Sequence, residues 1–113
     1  MEYQQIQEVA LRVKNKYTKL EIARMGREWN LSEITEGFVG DVGDLMKLVM
    51  AKEGKRVIDN VDEKLKEEIT DCLWSIICIA KKLNIDVEKE FVDKMSKLDS
   101  RVDSSIQNPA KPD

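Results

Sequence analysis

Apolar residues recur at three- and four-residue steps along nearly the whole chain, the spacing that lays one stripe along a helix. Ile6, Val9, Ala10, Val13, Tyr17 and Leu20 trace such a stripe and predict a first helix from Gln4 to about Ala23, with Gly26 near its end. Asn30 followed by Glu33 is a capping-box pattern, and it opens a second helix that runs to about Glu53 and stops at Gly54. A polar connector, Lys55 to Asn60, leads to a similar pair, Asn60 with Glu63, and to a third helix that reaches about Leu83 and ends at Asn84. Asp86 is the expected cap of a fourth helix, Val87 to about Val102, with Val87, Phe91, Met95, Leu98 and Val102 on one side. Both prolines, Pro109 and Pro112, lie beyond it, so nothing earlier carries that helix breaker. No strand pattern, repeat or internal boundary shows. The expected organisation is a single helical domain over residues 1–103 and a flexible C-terminal tail over residues 104–113.

Composition narrows what such helices can do. The 113 residues include no histidine, which excludes Ser-His-Asp and Cys-His catalysis, His-ligated zinc and Glu-x-x-His di-iron sites. Chemistry is left to carboxylates, amines, hydroxyls and thiols. A net charge of −3 and only six aromatic residues offer neither the basic footprint nor the stacking platform of a nucleic-acid binder. No apolar run approaches the roughly 18 residues of a membrane span, and Met1 to Gln5 lack a basic segment leading into an apolar one. A cytoplasmic protein without membrane or nucleic-acid partners is expected. Cys72 and Cys78, six apart on one predicted helix, point to different sides and are expected to be core thiols, not a bridge.

The second and third helices each carry an acid-x-x-acid pair, Asp41 with Asp44 and Glu68 with Asp71. At about 100° per residue the members of a pair stand some 60° apart and one turn along, so both carboxylates face one way. The core stripes are Ile34, Phe38, Val42, Leu45 and Val49 in one helix and Leu65, Ile69, Cys72, Leu73, Ile76 and Ala80 in the other. Both acid pairs lie on the same edge of their stripe. The run Leu73 to Ala80 is apolar almost all round and is expected to be buried on nearly every side, which makes charge costly at Asp71. One such pair in a chain with 36% charged residues reads as a solvated face. Two pairs equivalently placed, with 23 residues between Asp44 and Glu68, read as the halves of a cation site. All-oxygen donors indicate a hard ion, Mg²⁺ or Mn²⁺. Gly37, Gly40 and Gly43 recur through the second helix, each costing roughly 1 kcal/mol against Ala. Their expected use is to clear space for a ligand or to admit a close helix.

The stretch Gly37-Phe38-Val39-Gly40-Asp41-Val42-Gly43-Asp44-Leu45, followed by Glu67-Glu68-Ile69-Thr70-Asp71-Cys72-Leu73, resembles the MazG-like all-α nucleotide pyrophosphohydrolases. The resemblance continues through Asn84-Ile85-Asp86-Val87-Glu88 to Lys94-Met95 and Arg101. It implies an all-α, four-to-five-helix bundle completed by homodimerisation and Mg²⁺-dependent cleavage of a nucleoside triphosphate to monophosphate and pyrophosphate; four amphipathic helices in so small a chain also leave apolar faces that a monomer can hardly cover, so a homodimer or homotetramer is expected. Carried over by position, Asp41, Asp44, Glu68 and Asp71 are the metal ligands, with Glu68 and Asp71 also catalytic. Lys94 and Arg101 are expected to meet phosphate, and Trp29 to stack on the base. The chain departs from the family where most members have two glutamates: Asp41 and Asp44 are each one methylene shorter. Leu98 stands where the related deoxycytidine triphosphatases place a base-reading asparagine, so cytosine specificity does not transfer. Two rivals stay open at this point: a phosphoribosyl-ATP pyrophosphohydrolase, and a non-catalytic helical interaction or regulatory protein.

Overall fold

The computed structural model describes residues 1–110 and contains four helices and, among those residues, no strand. They are α1 (Tyr3–Met25), α2 (Leu31–Lys52), α3 (Val61–Lys82) and α4 (Val87–Gln107). No helix among the described residues is long and apolar enough to cross a membrane.

The ends of the helices show which local signals acted. At α2 the capping box forms in full: the Glu33 backbone N–H donates to Asn30 Oδ1 at 2.9 Å and the Asn30 N–H donates to Glu33 Oε1 at 3.0 Å. Arg27 donates to the same carboxylate at 2.7 Å, and together these bonds hold the Glu33 carboxyl down at about 2. The pair at the start of α3 behaves differently. Asn60 has φ 55, makes no side-chain cap bond, and serves as a left-handed turn residue instead. At Asp86 the expected cap is present, its carboxylate accepting from Lys89 N at 3.1 Å. Helices α2 and α3 close with the same device. Gly54 (φ 81) and Asn84 (φ 55) turn left-handed, so that Lys55 N reaches Met50 O at 2.8 Å and Ile85 N reaches Ala80 O at 2.9 Å.

Helices α2 and α3 run antiparallel, as the ion pair between Lys52 and Asp62 at 2.7 Å and the approach of Asp41 and Asp44 to Glu68 show. Helix α1 lies against α3. Trp74 of α3 donates its indole N–H to Ala10 O at 3.0 Å and tilts against Tyr17, with ring centroids 5.6 Å apart. Ala10, Ile34, Leu48, Ile77, Cys78 and Ala80 form the buried core. Both cysteines are free, with Cys78 buried and its thiol pushed up to about 11 by desolvation, and Cys72 half-buried.

Two expectations change, and a third holds except along one edge. Helix α4 continues to Gln107, so the segment read as tail begins as helix, while residues 111–113 lie outside the described residues. Val42, Val49, Ile69, Leu73 and Ile76, assigned to core stripes, are exposed, and Leu48 takes the central place in α2. Each stripe is wider than the area its neighbours cover, so one edge stays uncovered. The run Leu73 to Ala80 is buried or half-buried as expected except at Leu73 and Ile76, which lie on that uncovered edge. The chain exposes 8821 Å², against about 6,300 Å² for a folded monomer of this mass. Its radius of gyration is 18.1 Å, against about 13 Å for a compact domain of this length. Helix α4 accounts for much of both excesses: it packs only sparsely on the rest and buries none of its residues.

Candidate metal centre

The acid pairs meet where α2 and α3 face each other. Asp41 and Asp44, one turn apart on α2, and Glu68 on α3 bring one carboxylate oxygen each to within 4.8 Å of one another. Asp41 and Glu68 are half-buried and Asp44 is exposed. Glu68 Oε1 is buried without a hydrogen-bond partner. Two ionised carboxylates cannot bond to each other, so Asp41 satisfies this oxygen only when one of the two takes up a proton. Burial first, then the charge of Asp41 and the chance of such a shared proton, and lastly Asp71 and Asp44, push the Glu68 carboxyl above its usual value.

Asp71 lies just outside this trio. It is exposed in the single chain, yet nearby apolar side chains desolvate it, and Asp41 and Glu67 add repulsion, so its carboxyl is also raised. Desolvation, then Asp41, Glu68 and Asp71, raise the Cys72 thiol as well. Every charge acting on these three groups is negative. Among the described residues no ion pair involves Asp41, Asp44, Glu68 or Asp71.

These residues fit a hard divalent cation. The donors are all oxygen, three converge from two helices, and one of them is a buried acceptor with nothing to accept from. Gly37, Gly40 and Gly43 do not mediate close packing within the chain, because a Cβ built at each meets nothing within 4 Å. Of their two expected uses, open space is the one compatible with a single chain.

At Gly37 that space opens on a cavity of about 510 Å³ that Asp41 also lines, bounded by α1, α2 and α3. Trp29, 41% exposed, stands at its wall together with Trp74, Tyr17 and the buried Ser75. Lys94 and Arg101 are placed differently. Both are exposed on α4, and neither lines this cavity. Four cavity residues escaped the sequence reading: Arg24, Met25, and the pair Lys14 and Glu21, whose charges stand 3.8 Å apart on α1. The pair's signal was available, since Lys14, Thr18 and Glu21 follow at four- and three-residue steps and place a polar seam along one side of the helix.

The family model for the MazG nucleotide pyrophosphohydrolase domain matches residues 30–105, from the cap of α2 through nearly all of α4. No curated protein and no solved structure matches the chain. The matched region contains both acid pairs and covers well over half of the sequence; the chain belongs to the MazG nucleotide pyrophosphohydrolase domain family.

Proposed function

We propose that the protein is a metal-dependent pyrophosphohydrolase that cleaves a nucleoside triphosphate to monophosphate and pyrophosphate. The observation that carries this is the convergence of Asp41, Asp44 and Glu68 around an orphaned buried carboxylate oxygen, with none of the three in an ion pair among the described residues. Asp41, Asp44 and Glu68 would hold Mg²⁺, or Mn²⁺ in its place, with Asp71 as the fourth acid. The ion supplies positive charge where a triphosphate would otherwise be repelled by four carboxylates.

The chain's own groups then divide the work. The α2–α3 pair holds the acids on rigid helices, so their separation does not relax when substrate arrives. Asp71, exposed beside the trio, would orient the attacking water and accept its proton, with attack at the α-phosphorus releasing pyrophosphate. Trp29 at the cavity wall offers a face for the base. The shorter arms of Asp41 and Asp44 reach less far than glutamates, and the open space beside Gly40 and Gly43 lets substrate phosphates come to them.

The functional unit we propose is at least a homodimer. The exposed area exceeds that of a compact monomer by about 2,500 Å², the scale of an obligate interface. A second copy laid on the exposed Ile69, Leu73 and Ile76 would also bring charged groups near the acids, which is the route by which Lys94 and Arg101 would serve phosphate. Pyrophosphate release from a panel of ribo- and deoxyribonucleoside triphosphates and phosphoribosyl-ATP, with and without Mg²⁺, tests the proposal. Metal-dependent release that disappears in Glu68→Gln supports it. Turnover of phosphoribosyl-ATP alone selects that substrate, and no release from any compound with Mg²⁺ or Mn²⁺ refutes it.

A further inference from the structure

The pair Lys14 and Glu21 sits in the cavity beside the acidic cluster, and nothing in the cleavage of a phosphoanhydride requires it. Both side chains are only 12% exposed. Lys14 donates to Thr18 Oγ1 at 2.9 Å, while Glu21 Oε1 accepts the Trp29 backbone N–H at 2.8 Å. The two charges stand 3.8 Å apart, an ion pair by proximity but beyond hydrogen-bonding distance. An ammonium has three protons to give, and Thr18 takes one. The Glu21 carboxylate has lone pairs beyond the one that Trp29 uses.

Withdrawing two charges from water is expensive, and a loose pair recovers little of that cost. As a brace for the fold the arrangement is therefore poor. As a recognition device it is apt. Beside it are the aromatic faces of Tyr17, Trp74 and Trp29, with Asp41 on another part of the same wall. A cavity of about 510 Å³ with aromatic walls and a donor next to an acceptor suits a flat heteroaromatic ring whose edge carries the complementary acceptor and N–H.

Resting on the nucleotide reading above, we infer that Lys14 and Glu21 read the hydrogen-bonding edge of the substrate's base. Lys14 donates to a ring nitrogen or exocyclic oxygen, and Glu21 accepts from the adjacent N–H. The base thus lies between α1 and α3 while the phosphates extend past Asp41. Glu21 has a second task, holding the α1–α2 connection through Trp29 N, so that the base edge and one aromatic wall are set by the same carboxylate.

The test does not depend on turnover. Trp29 and Trp74 are the only tryptophans, and both line the cavity, so quenching of their fluorescence reports its occupation. The probes are uridine, cytidine, adenosine and guanosine, with 3-methyluridine and 1-methylguanosine as analogues whose edge N–H is blocked. Wild-type protein should bind at least one nucleoside and disfavour a blocked analogue by at least about tenfold. Lys14→Met should weaken the parent nucleoside by a similar factor. Glu21→Gln retains an oxygen for Trp29 N but should lose the discrimination between parent and blocked analogue, a change that a merely structural role would not produce. Both variants should leave thermal stabilisation by Mg²⁺ with inorganic tripolyphosphate unchanged. Quenching by no nucleoside, or variants that bind and discriminate as the wild type does, would overturn the inference. Should wild-type protein release no pyrophosphate yet still bind nucleosides through this pair, the hydrolase reading fails and the base site stands. Release of pyrophosphate with unaltered KM in both variants has the opposite meaning.

Discussion

Helices α3 and α4 are built from similar material and end up in different circumstances. Each carries an apolar stripe at helical spacing, a polar opposite face and acids in its first turn. Helix α3 is flanked by α1 and α2 and buries Ser75, Ile77, Cys78 and Ala80. Helix α4 buries nothing: Phe91 is 61% exposed and Ile106 70%. An amphipathic pattern specifies that a face will be covered without specifying by what. Where a stripe of the same chain is packed against it, as between α2 and α3, the pattern is satisfied internally. Where no other helix packs closely on it, as along α4, the face stays exposed. The same contrast holds for charge, since the acids of α2 and α3 face one another while Lys94 and Arg101 of α4 face outward.

Breaking the α2–α3 side of this comparison has the largest expected effect. Glu68→Gln and Asp71→Asn should each lower pyrophosphate release at least about a hundredfold, beyond the loss usual for groups that only support a ligand, with circular dichroism unchanged. Full activity in either variant would remove that residue from the site. Breaking the α4 side comes next. Phe91→Glu should convert a dimer to a monomer in sedimentation equilibrium and abolish the concentration dependence of Tm. A wild-type chain that sediments as a monomer would leave the exposed face of α4 without the proposed partner.

A smaller effect sharpens the electrostatic half. Mg²⁺ should raise the Tm of the wild type, by the equivalent of about 2.7 kcal/mol at a hundredfold excess over Kd. Glu68→Gln should abolish that response and, in chelator, melt above the wild type, because the substitution removes a half-buried charge that repels its neighbours. Equal Mg²⁺ responses in the two proteins would place the ion elsewhere.

The smallest effects concern the two asparagine caps. Asn30→Ala should cost about 1 kcal/mol through the lost α2 cap, whereas Asn60→Gly should be neutral or stabilising, since Asn60 caps nothing and glycine suits its positive φ. The α2 cap also has a pH signature. The Glu33 carboxyl is held at about 2 in the folded chain against 4.5 ordinarily, so its contribution is complete above 4.5 and lost as pH falls toward 2. Glu33→Gln should melt a few degrees lower at neutral pH and lack that acid-side loss. A Tm difference that persists unchanged down to pH 2 would contradict the assignment.

Much of this was legible in the residues, for local reasons. Helix starts at Asn30 and Asp86 and stops at Gly54 and Asn84 depend on contacts within a few residues, and those form as the sequence reading expects. Asn60 shows the limit of such signals. The same Asn-x-x-Glu spacing that caps α2 sits at a left-handed turn before α3, where the connector's path set the backbone first. The acid pairs were visible as pairs because one turn of helix defines their geometry. That Asp41, Asp44 and Glu68 cluster while Asp71 stands just outside was not visible, because it depends on how α2 and α3 are rotated against each other. Lys14 and Glu21 were passed over because on a helical wheel they read as ordinary surface charge.

The sequence by itself determined four helices, most of their ends, the absence of imidazole chemistry and the presence of two acidic half-sites, all consequences of interactions spanning one or two turns. Only the tertiary structure decided which edge of each stripe was covered, which three carboxylates converge, that a charged pair lines the cavity beside them, and that α4 packs only sparsely on the other described helices. Those outcomes depend on the relative rotation and separation of whole helices. Side-chain packing sums over many contacts distant in sequence, and no single residue's spacing encodes it.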